Sequence, residues 1–318
     1  MGLIANVRCR LENPTILFRS DDMILVVGGS GTLGRAITLD LLSAGKTVRV
    51  MTRTPAKAKS LLDAGAEVVA GDLIDRESLI RACDGAEQVV AAAHSFLGRG
   101  RYASEHVDSV GHKQLIEIAK LKGVRHFVYT SAYFTDPLFL KIPFMRIKQE
   151  VEEHLRASGL SYTILRPTAF MDFHAHVLIG MPVIMGRKVM LFGAGERPRN
   201  FVAASDVAQL AVRSLDHGTL ANQALDIGGP EDLSGGDVVN IYERVSGRKA
   251  QVTHVPTRVP SLLARMARPF HAGVAQMMQM AALADVAEQR FDARGLQERF
   301  ALRLTRLEDW AKRNVQQH

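Results

Sequence analysis

The chain has 318 residues, a formal net charge of +7, and 47% hydrophobic and 23% charged residues, which are the values of an ordinary globular protein. Its two cysteines are too few for a disulfide framework and lie in no metal-ligand pattern, so we expect a cytoplasmic protein without a metal site. No apolar run approaches the roughly 20 residues that span a bilayer.

The first 22 residues are expected to form an N-terminal extension, since the pattern of the fold begins at Met23. This segment lacks a clean apolar core and a small-residue cleavage site, so no signal peptide is predicted. It is either a surface arm or upstream sequence included by an early start codon.

A run of branched apolar residues stands directly before a group of glycines in MILVVGGSGTLGR, residues 23–35. The apolar run is typical of a strand buried on both faces. Leu33, Ile37 and Leu41 then repeat at helical spacing until Gly45 ends the helix. A strand, a glycine turn and a helix form the first half of a dinucleotide-binding unit, in which N–H groups at the helix terminus face a pyrophosphate.

The glycine turn has the spacing G-x-x-G-x-x-G, at Gly28, Gly31 and Gly34. We expect a side chain at Gly28 or Gly31 to collide with the pyrophosphate and to leave the fold intact. The residues of this turn that are predicted to bind the cofactor are Gly28, Ser30, Gly31, Thr32, Leu33 and Gly34.

After this unit, strands and helices alternate as far as Pro167. Further strands are predicted at residues 46–53, 66–73, 86–94, 124–132 and 160–167. Six strands separated by helices predict a parallel, doubly wound α/β sheet of the Rossmann type. We assign residues 23–167 to this dinucleotide-binding core.

The pattern loosens beyond Pro167. Short strands are predicted near residues 188–195, 199–204, 223–230 and 250–256, and the tail is helical and rich in methionine. Because no low-complexity linker separates the two regions, residues 168–318 are predicted as a smaller α+β lobe that binds substrate or a partner and packs on the core. Whether its strands extend the core sheet stays open at this point.

The end of the second strand indicates which cofactor binds. In dinucleotide folds this position faces the adenosine ribose, where a carboxylate binds the 2′-hydroxyl of NAD and an arginine accommodates the 2′-phosphate of NADP. The sequence here is VMTRTPAKAK, with Arg53 and Lys57 and no carboxylate before Asp63. We therefore predict NADP(H), with Arg53 on the 2′-phosphate and Lys57 as a second contact.

Later strand ends supply further predicted cofactor contacts. Asp72, after the third strand, fits a hydrogen bond to the adenine amino group, and Leu73 lies beside it. The small Ala92 lets the backbone after the fourth strand approach the nucleotide, and Pro167 ends the sixth strand. His94 either reaches the ribose or nicotinamide or is a half-exposed polar residue.

With these residues in place, the chain resembles the short-chain dehydrogenase/reductase superfamily. It looks most like the atypical NmrA-like branch, which includes isoflavone-reductase-like enzymes and NADPH-dependent quinone reductases. The matching segments extend from Met23 to about Arg248 and include GGSGTLG, VMTR, VRHFVYTSA, YTILRPTAFMD, NFVAASDVA and DIGGPEDLS. The resemblance implies a Rossmann fold that binds NAD(P)H, and it specifies no substrate.

The resemblance also implies a catalytic set, in which a serine ends the fifth strand and Tyr-x-x-x-Lys follows on the next helix. Here Ser131 and Lys148 match this set, whereas Phe144 occupies the tyrosine position and has no proton to donate. Three sources of the proton stay open: the Tyr133 phenol, Lys148 itself, or water after hydride transfer to a quinone. Lys148 is also expected to bind the cofactor ribose.

The loop after the sixth strand is expected to contact the substrate, since it leaves the sheet at its carboxyl edge. The predicted contacts are Phe170, Met171, Phe173 and His174. Such an apolar wall favours a flat or aliphatic small molecule over a sugar nucleotide. The same residues would equally serve as the core of the second lobe.

Two functions stay open from the sequence. One is an NADPH-dependent reductase that transfers a hydride to a quinone or a similar carbonyl or enone compound. The other is a non-catalytic NADP(H)-binding redox sensor, or an assembly or accessory factor for a membrane complex. The basic segment 244–284 contains no acidic residue, so it is predicted either to touch a membrane surface or a protein, or to cover the substrate cleft. We expect no nucleic-acid partner, and a monomer or a homodimer.

Overall fold

The apolar runs predicted as strands are strands in the computed structural model, which describes residues 22–216 and 220–315. In chain order the strands are β1 (Ile24–Val27), β2 (Val48–Thr52), β3 (Glu67–Ala70), β4 (Gln88–Ala91), β5 (His126–Thr130), β6 (Ser161–Pro167), β7 (Ala169–Phe170), β8 (Lys188–Phe192), β9 (Arg199–Val202), β10 (Gln223–Ile227), β11 (Asp232–Leu233) and β12 (Gln251–Val255). Residues 1–21, which make up nearly all of the predicted N-terminal extension, lie outside the described residues.

Helices occupy most of the intervals between strands. The α-helices are α1 (Thr32–Ser43), α2 (Lys59–Asp63), α3 (Arg76–Cys83), α4 (His112–Leu121), α5 (Pro143–Ala157), α6 (Met181–Ile184), α7 (Ala204–Asp216), α8 (Gly235–Ser246), α9 (Arg258–Ala267), α10 (Ala272–Ala282), α11 (Arg294–Phe300) and α12 (Leu307–Val315). Two stretches, Glu105–Gly111 before α4 and Met171–Gly180 before α6, are wound more widely as π-helices.

Seven of the described strands form one parallel sheet in the order β10-β6-β5-β4-β1-β2-β3, which confirms the predicted doubly wound α/β fold. All residues of β1 are buried. Ile24 and Val26 pack with α1 and α7 on one face, whereas Leu25 and Val27 pack with α3, α4 and α5 on the other. A strand covered by helices on both faces requires an apolar run without alternation, and the sequence has one.

The chain beyond Pro167 builds a second lobe and also completes the first. β10 pairs with β6 at the edge of the core sheet and buries Leu225 and Ile227. The remaining short sheets, β11-β9-β7 and β12-β8, surround a separate apolar core that includes Phe201 and Tyr242. Segments from both sides of Pro167 therefore build the Rossmann core.

The tail folds back on the core. α9 packs against α10, and Gln276 of α10 accepts a hydrogen bond from Phe144 N at 2.7 Å and donates one to Phe96 O at 3.3 Å. α10 therefore lies across the first turn of α5 and the loop after β4. No helix among the described residues is long and apolar enough to cross a membrane.

Candidate functional site

The glycine turn after β1 bends tightly against neighbouring strands. Gly28 has a φ of +85°, which favours glycine, and its N–H donates to Met51 O at 3.1 Å. A Cβ at this position would lie 2.7 Å from the backbone N and Cα of Ala93. The prediction that a side chain at Gly28 would leave the fold intact is therefore wrong, because the chain itself fills that space.

Gly34 and Gly31 differ in their surroundings. A Cβ on Gly34 would overlap Gly28 O, so this glycine lets α1 pack against the turn. A Cβ on Gly31 would meet, among the described residues, only Gly28 O at 3.3 Å, and its backbone angles are extended ones that any residue adopts. Open space beside the first N–H groups of α1 is what a pyrophosphate requires, so the turn fits a dinucleotide.

The other predicted contacts of the turn divide into polar and buried groups. Ser30 Oγ lies 2.8 Å from Thr52 Oγ1, which joins the turn to the end of β2. Thr32 is exposed at the first position of α1. The Leu33 side chain is buried in the core, so only its backbone is available to a cofactor.

The end of β2 carries a cationic site that is larger than the sequence indicated. The Arg53 guanidinium lies 4.8 Å from the centroid of the Tyr102 ring, and Arg101 lies 5.2 Å from the same centroid. Arg53 and Lys57 are exposed, and neither is ion-paired within the part of the chain that the structure describes. Tyr102 holds Arg53 by a cation–π contact, and its loop adds Arg101 to the predicted phosphate site.

Replacing Arg53 by Ala is expected to weaken NADPH binding about tenfold to a hundredfold and to leave NADH binding nearly unchanged. The cause is the loss of charge-assisted hydrogen bonds to the 2′-phosphate, which contribute roughly 1.5–3 kcal/mol. Titration of both cofactors measures the effect, and Arg248→Ala, which removes an exposed arginine of the second lobe, is the control. Equal affinity of the unmutated chain for NADPH and NADH would contradict this prediction.

Four further predicted cofactor residues lie at the carboxyl ends of core strands, where this fold places a dinucleotide. They are Asp72, Leu73, Ala92 and Pro167. The Asp72 carboxylate is half-buried and accepts a hydrogen bond from Ile74 N at 3.3 Å. Leu73 packs its side chain into the core, so it offers only backbone groups.

Lys148 lies on α5 with its ammonium group buried at the end of β5. The residue is 3% exposed, and Nζ donates to Thr130 O at 2.9 Å. The same nitrogen lies 4.9 Å from the centroid of the Tyr129 ring and 5.3 Å from that of Phe144. The structure therefore brings Lys148 next to the end of β5, as the resemblance implied.

Two buried carboxylates act on Lys148, and the sequence indicated neither. Asp108 accepts hydrogen bonds from Ser95 N at 2.9 and 3.2 Å, and burial raises its pKa to about 6. Burial also acts to raise the pKa of Glu152, but the Arg166 guanidinium, 2.9 Å from Oε1, holds it below its usual range. Burial lowers the pKa of Lys148 while the two carboxylates oppose that shift. The ammonium group therefore releases its proton more readily than an exposed lysine does.

Ser131 is buried directly after β5, and its N–H donates to Leu165 O at 2.7 Å. The hydroxyls of Ser131 and Thr130 are buried without a well-formed hydrogen bond to any described residue. Ser131 nevertheless lies close enough to Glu152 to help lower the pKa of that carboxyl. Two buried hydroxyls that lack a full set of partners, beside the Lys148 contact, fit a site for a bound ligand.

Phe144 lies in the first turn of α5, where the resemblance implies a tyrosine. Its buried ring packs edge-on against Phe96 at 5.0 Å and against His94 at 6.2 Å between centroids. The His94 side chain is exposed on one side, and neighbouring protein atoms shield the rest of the ring from water. This desolvation, together with the charge of Lys148, lowers the pKa of His94 to about 4. His94 is therefore a neutral imidazole near neutral pH, and Phe144 offers no hydroxyl.

Tyr133 directs its hydroxyl towards the C-terminal segment. Oη donates to Arg290 O at 3.3 Å, and the ring packs edge-on against Phe291 with 5.3 Å between centroids. Burial raises the pKa of Tyr133, and the charges of Asp226 and Asp232 add to the shift. Both features make Tyr133 a weak proton donor.

The four residues predicted to contact the substrate lie in two different environments, a buried core and a more open surface. Met171 is 1% exposed and packs in the core of the second lobe, so the prediction that it lines the substrate site is wrong. Phe170 is half-buried, and Phe173 is exposed. His174 Nδ1 lies 3.2 Å from Phe170 O, and burial lowers the pKa of His174 to about 4. Phe170, Phe173 and His174 stay predicted substrate contacts.

Arg199, at the start of β9, is a charged residue that sequence reasoning missed, because nothing in the segment RPRNFV distinguishes it from an ordinary strand end. Its side chain is half-buried and forms no hydrogen bond or ion pair with the described residues. After burial, its charge is the next cause of the low pKa of His174, so the two side chains lie close together. Burial lowers the pKa of Arg199, and the charge of Asp285 opposes that shift. A guanidinium that forms no hydrogen bond within the described residues suits negative charge on a ligand.

The fold is a Rossmann-type parallel α/β sheet, and the glycine turn at its centre has the space that a dinucleotide requires. The NmrA-like family model matches residues 20–313, so the chain belongs to the NmrA-like family. The photosystem II assembly factor Ycf39 of Cyanophora paradoxa is 32% identical to it over 73% of this chain and 71% of that protein. The NAD(P)H azoreductase of Xenophilus azovorans is 29% identical over 71% of this chain and 74% of that enzyme.

Solved structures share the same architecture. The NADPH-dependent quinone oxidoreductase QOR2 of Escherichia coli, solved in complex with NADPH, matches with a TM-score of 0.72 at 20% identity, over 93% of this chain and 99% of that one. At this identity the likeness shows the fold alone. Since the relatives include reductases and an assembly factor, membership of the family leaves both functions open.

Proposed function

We propose that the chain is an NADP(H)-dependent reductase that transfers a hydride to a quinone or to a similar carbonyl or enone compound. The observation that carries this proposal is Lys148, whose ammonium group is buried at the end of β5 beside Ser131. Burying an ammonium group is costly, and sheet packing does not require it. A proton-transfer role gives a reason for its position.

The glycine turn and the end of β2 would hold the cofactor. Gly31 leaves space beside the first N–H groups of α1 for a pyrophosphate, and Arg53 and Arg101 offer positive charge to a 2′-phosphate. The lack of a carboxylate between Arg53 and Asp63 favours NADP(H) over NAD(H). The complex of QOR2 with NADPH supports the same cofactor.

A bound nicotinamide would supply the hydride. The chain's own residues then have to hold the acceptor and deliver a proton to its oxygen. Phe144 has no proton to give, and the Tyr133 hydroxyl is turned to the C-terminal segment. We therefore assign three roles. Lys148 donates the proton, Ser131 donates a hydrogen bond to the acceptor oxygen, and Arg199 provides a positive charge near the acceptor.

The residues on the substrate side favour a small, flat or apolar acceptor. Phe170 and Phe173 are aromatic, and the low pKa values of His94 and His174 keep both imidazoles neutral near neutral pH. Among these substrate-side residues, Arg199 is the one that carries a charge. An aromatic quinone or an enone, with an oxygen that gains electron density on reduction, suits this combination.

A second function is favoured by one observation, the phenylalanine at position 144. Without the family's tyrosine the chain would bind NADP(H) without turnover, as a redox sensor or as an assembly or accessory factor, and the similarity to Ycf39 supports this alternative. Lys148 would then contact only the cofactor ribose. A cytoplasmic location and a monomeric or homodimeric state stay predictions for either function.

Purified protein is expected to oxidise NADPH faster with at least one quinone or enone than without an acceptor. Loss of NADPH absorbance over a panel of quinones measures turnover, and a titration of NADPH binding runs in parallel. Tight NADPH binding with no turnover on any acceptor would overturn the reductase and support the second function. A chain that binds no NADPH would contradict both.

A further inference from the structure

α9 and the turn after it carry an apolar surface that the described residues leave uncovered. The exposed fractions are 43% for Val259, 60% for Leu262, 44% for Leu263, 61% for Met266 and 85% for Phe270. At about 100° per residue, the four residues within α9 fall within about 100° of the helix circumference, and Phe270 follows in the turn after the helix. We call these five exposed side chains the α9 face.

The opposite side of α9 attaches the helix to the protein. Pro260 and Ala264 are buried, and α9 packs closely against α10. α10 in turn is joined to the core by the hydrogen bond between Gln276 and Phe144 N. The α9 face therefore points away from the core, and the fold does not need it.

The charged residues of α9 and of the turn after it are all arginines. Arg258, Arg265 and Arg268 form no ion pair with the described residues, and residues 244–284 contain no Asp or Glu. Neither α9 nor α10 therefore carries a carboxylate that could balance them. In helical projection Arg258 and Arg265 lie beside the Leu262 edge of the α9 face.

We propose that the α9 face docks on the surface of a bilayer that contains anionic lipids. Interfacial helices place an apolar face at the level of the acyl chains while arginines bind headgroup phosphates, and long arginine side chains reach those phosphates from the flank of the helix. A protein partner would need an apolar groove of matching shape lined by acids. A lipid surface supplies both apolar and negative components without shape complementarity.

This inference does not depend on whether the site turns over. If the proposed reductase function also holds, α10 lies between the α9 face and the first turn of α5, so docking would bring the candidate site close to a bilayer. Apolar quinones dissolve in that phase.

Flotation with vesicles tests the proposal on the full chain. The unmutated protein is expected to float with vesicles of phosphatidylcholine mixed with phosphatidylglycerol, to float much less with phosphatidylcholine alone, and to be released as salt is raised. A combined Arg258→Gln and Arg265→Gln variant should bind the mixed vesicles more weakly, by about fivefold per arginine.

A matched pair of variants separates the α9 face from apolar surface in general. The combined Leu262→Ser, Met266→Ser and Phe270→Ser variant should lose at least about tenfold in vesicle affinity. The combined Leu62→Ser, Leu121→Ser and Met190→Ser variant, at similarly exposed positions elsewhere, should bind as the unmutated chain does. Thermal unfolding and NADPH titration, which should be unchanged in both, show that the variants are folded.

Three results would overturn the proposal. The unmutated chain could fail to bind mixed vesicles at low ionic strength, or the two serine variants could lose affinity equally. The α9 variant could also shift from dimer to monomer on gel filtration while no form binds vesicles, in which case the face serves a protein interface. None of these results bears on NADPH oxidation, which tests the proposed function separately.

Discussion

Replacing Lys148 by Met is expected to lower turnover of a quinone or carbonyl acceptor about a hundredfold to ten-thousandfold, while NADPH affinity changes far less. Methionine keeps the packing against Tyr129 and Phe144 but carries no proton. Burial raises the pKa of Asp108 to about 6 even though the charge of Lys148 acts to lower it, so loss of the ammonium group raises this pKa further. The carboxyl can then take up a proton, and the variant is expected to fold. Steady-state turnover, a parallel NADPH titration and thermal unfolding measure these effects.

The pH profile gives an independent readout of the same group. A donating ammonium group predicts that turnover falls as pH rises through the pKa of Lys148, which burial lowers from 10.5. Above that pKa the amine is neutral and has no proton to donate. The Lys148→Met variant should lose this alkaline decline.

Two control variants distinguish the proton donors. Lys141→Met, which removes an exposed lysine shortly before α5, should leave turnover and NADPH affinity unchanged. Tyr133→Phe should matter little, because its hydroxyl is bonded to Arg290 O. A large loss of turnover in Tyr133→Phe would instead identify that phenol as the donor. Equal losses of turnover and NADPH affinity in Lys148→Met would show that the lysine binds the cofactor ribose and does not donate the proton.

Replacing Gly31 by Val is expected to weaken NADPH binding roughly a hundredfold to ten-thousandfold without unfolding the protein. The side chain would occupy the space of the pyrophosphate and displace at least two hydrogen bonds from backbone N–H groups to a charged oxygen, each contributing roughly 1.5–3 kcal/mol. The extended backbone angles of Gly31 suit valine, and Gly28 O is the one described neighbour of a Cβ there. NADPH titration and thermal unfolding of the variant test both parts.

Two other glycines are the controls for this experiment. Gly295→Val, at an exposed helical position where a Cβ would meet no described atom within 4 Å, should change neither binding nor stability. Gly28→Val should lose folding as well as binding, because of the positive φ and the backbone of Ala93. Normal NADPH binding by Gly31→Val would show that the turn does not hold the pyrophosphate.

Local pattern was enough to predict most of the Rossmann core. The run Ile24–Val27 is apolar at every position because helices cover both faces of β1, and that requirement is visible in the sequence itself. The glycine spacing, the lack of a carboxylate between Arg53 and Asp63, and the phenylalanine at position 144 are also properties of the sequence alone. These features depend on neighbours within a few residues along the chain.

Other parts of the site depend on segments that are distant in the sequence. The cation–π contact of Arg53 with Tyr102 and the burial of Asp108 near Lys148 arise only when the loop after β4 and the π-helical stretch pack beside β2 and α5. The hydrogen bond between Phe144 and Gln276 joins residues 132 positions apart. No periodicity or motif marks such pairs.

The sequence by itself determined the strands of the core up to Pro167, the glycine turn, and the charge at the end of β2, because each follows from local geometry and from which side of an element is apolar. The tertiary structure alone decided that Met171 belongs to a core, that β10 completes the core sheet, and that Arg199 lies half-buried close to His174. An apolar or charged side chain after a strand suits a core, a cleft or a surface equally well. Which of these it meets is settled only when distant segments pack against it.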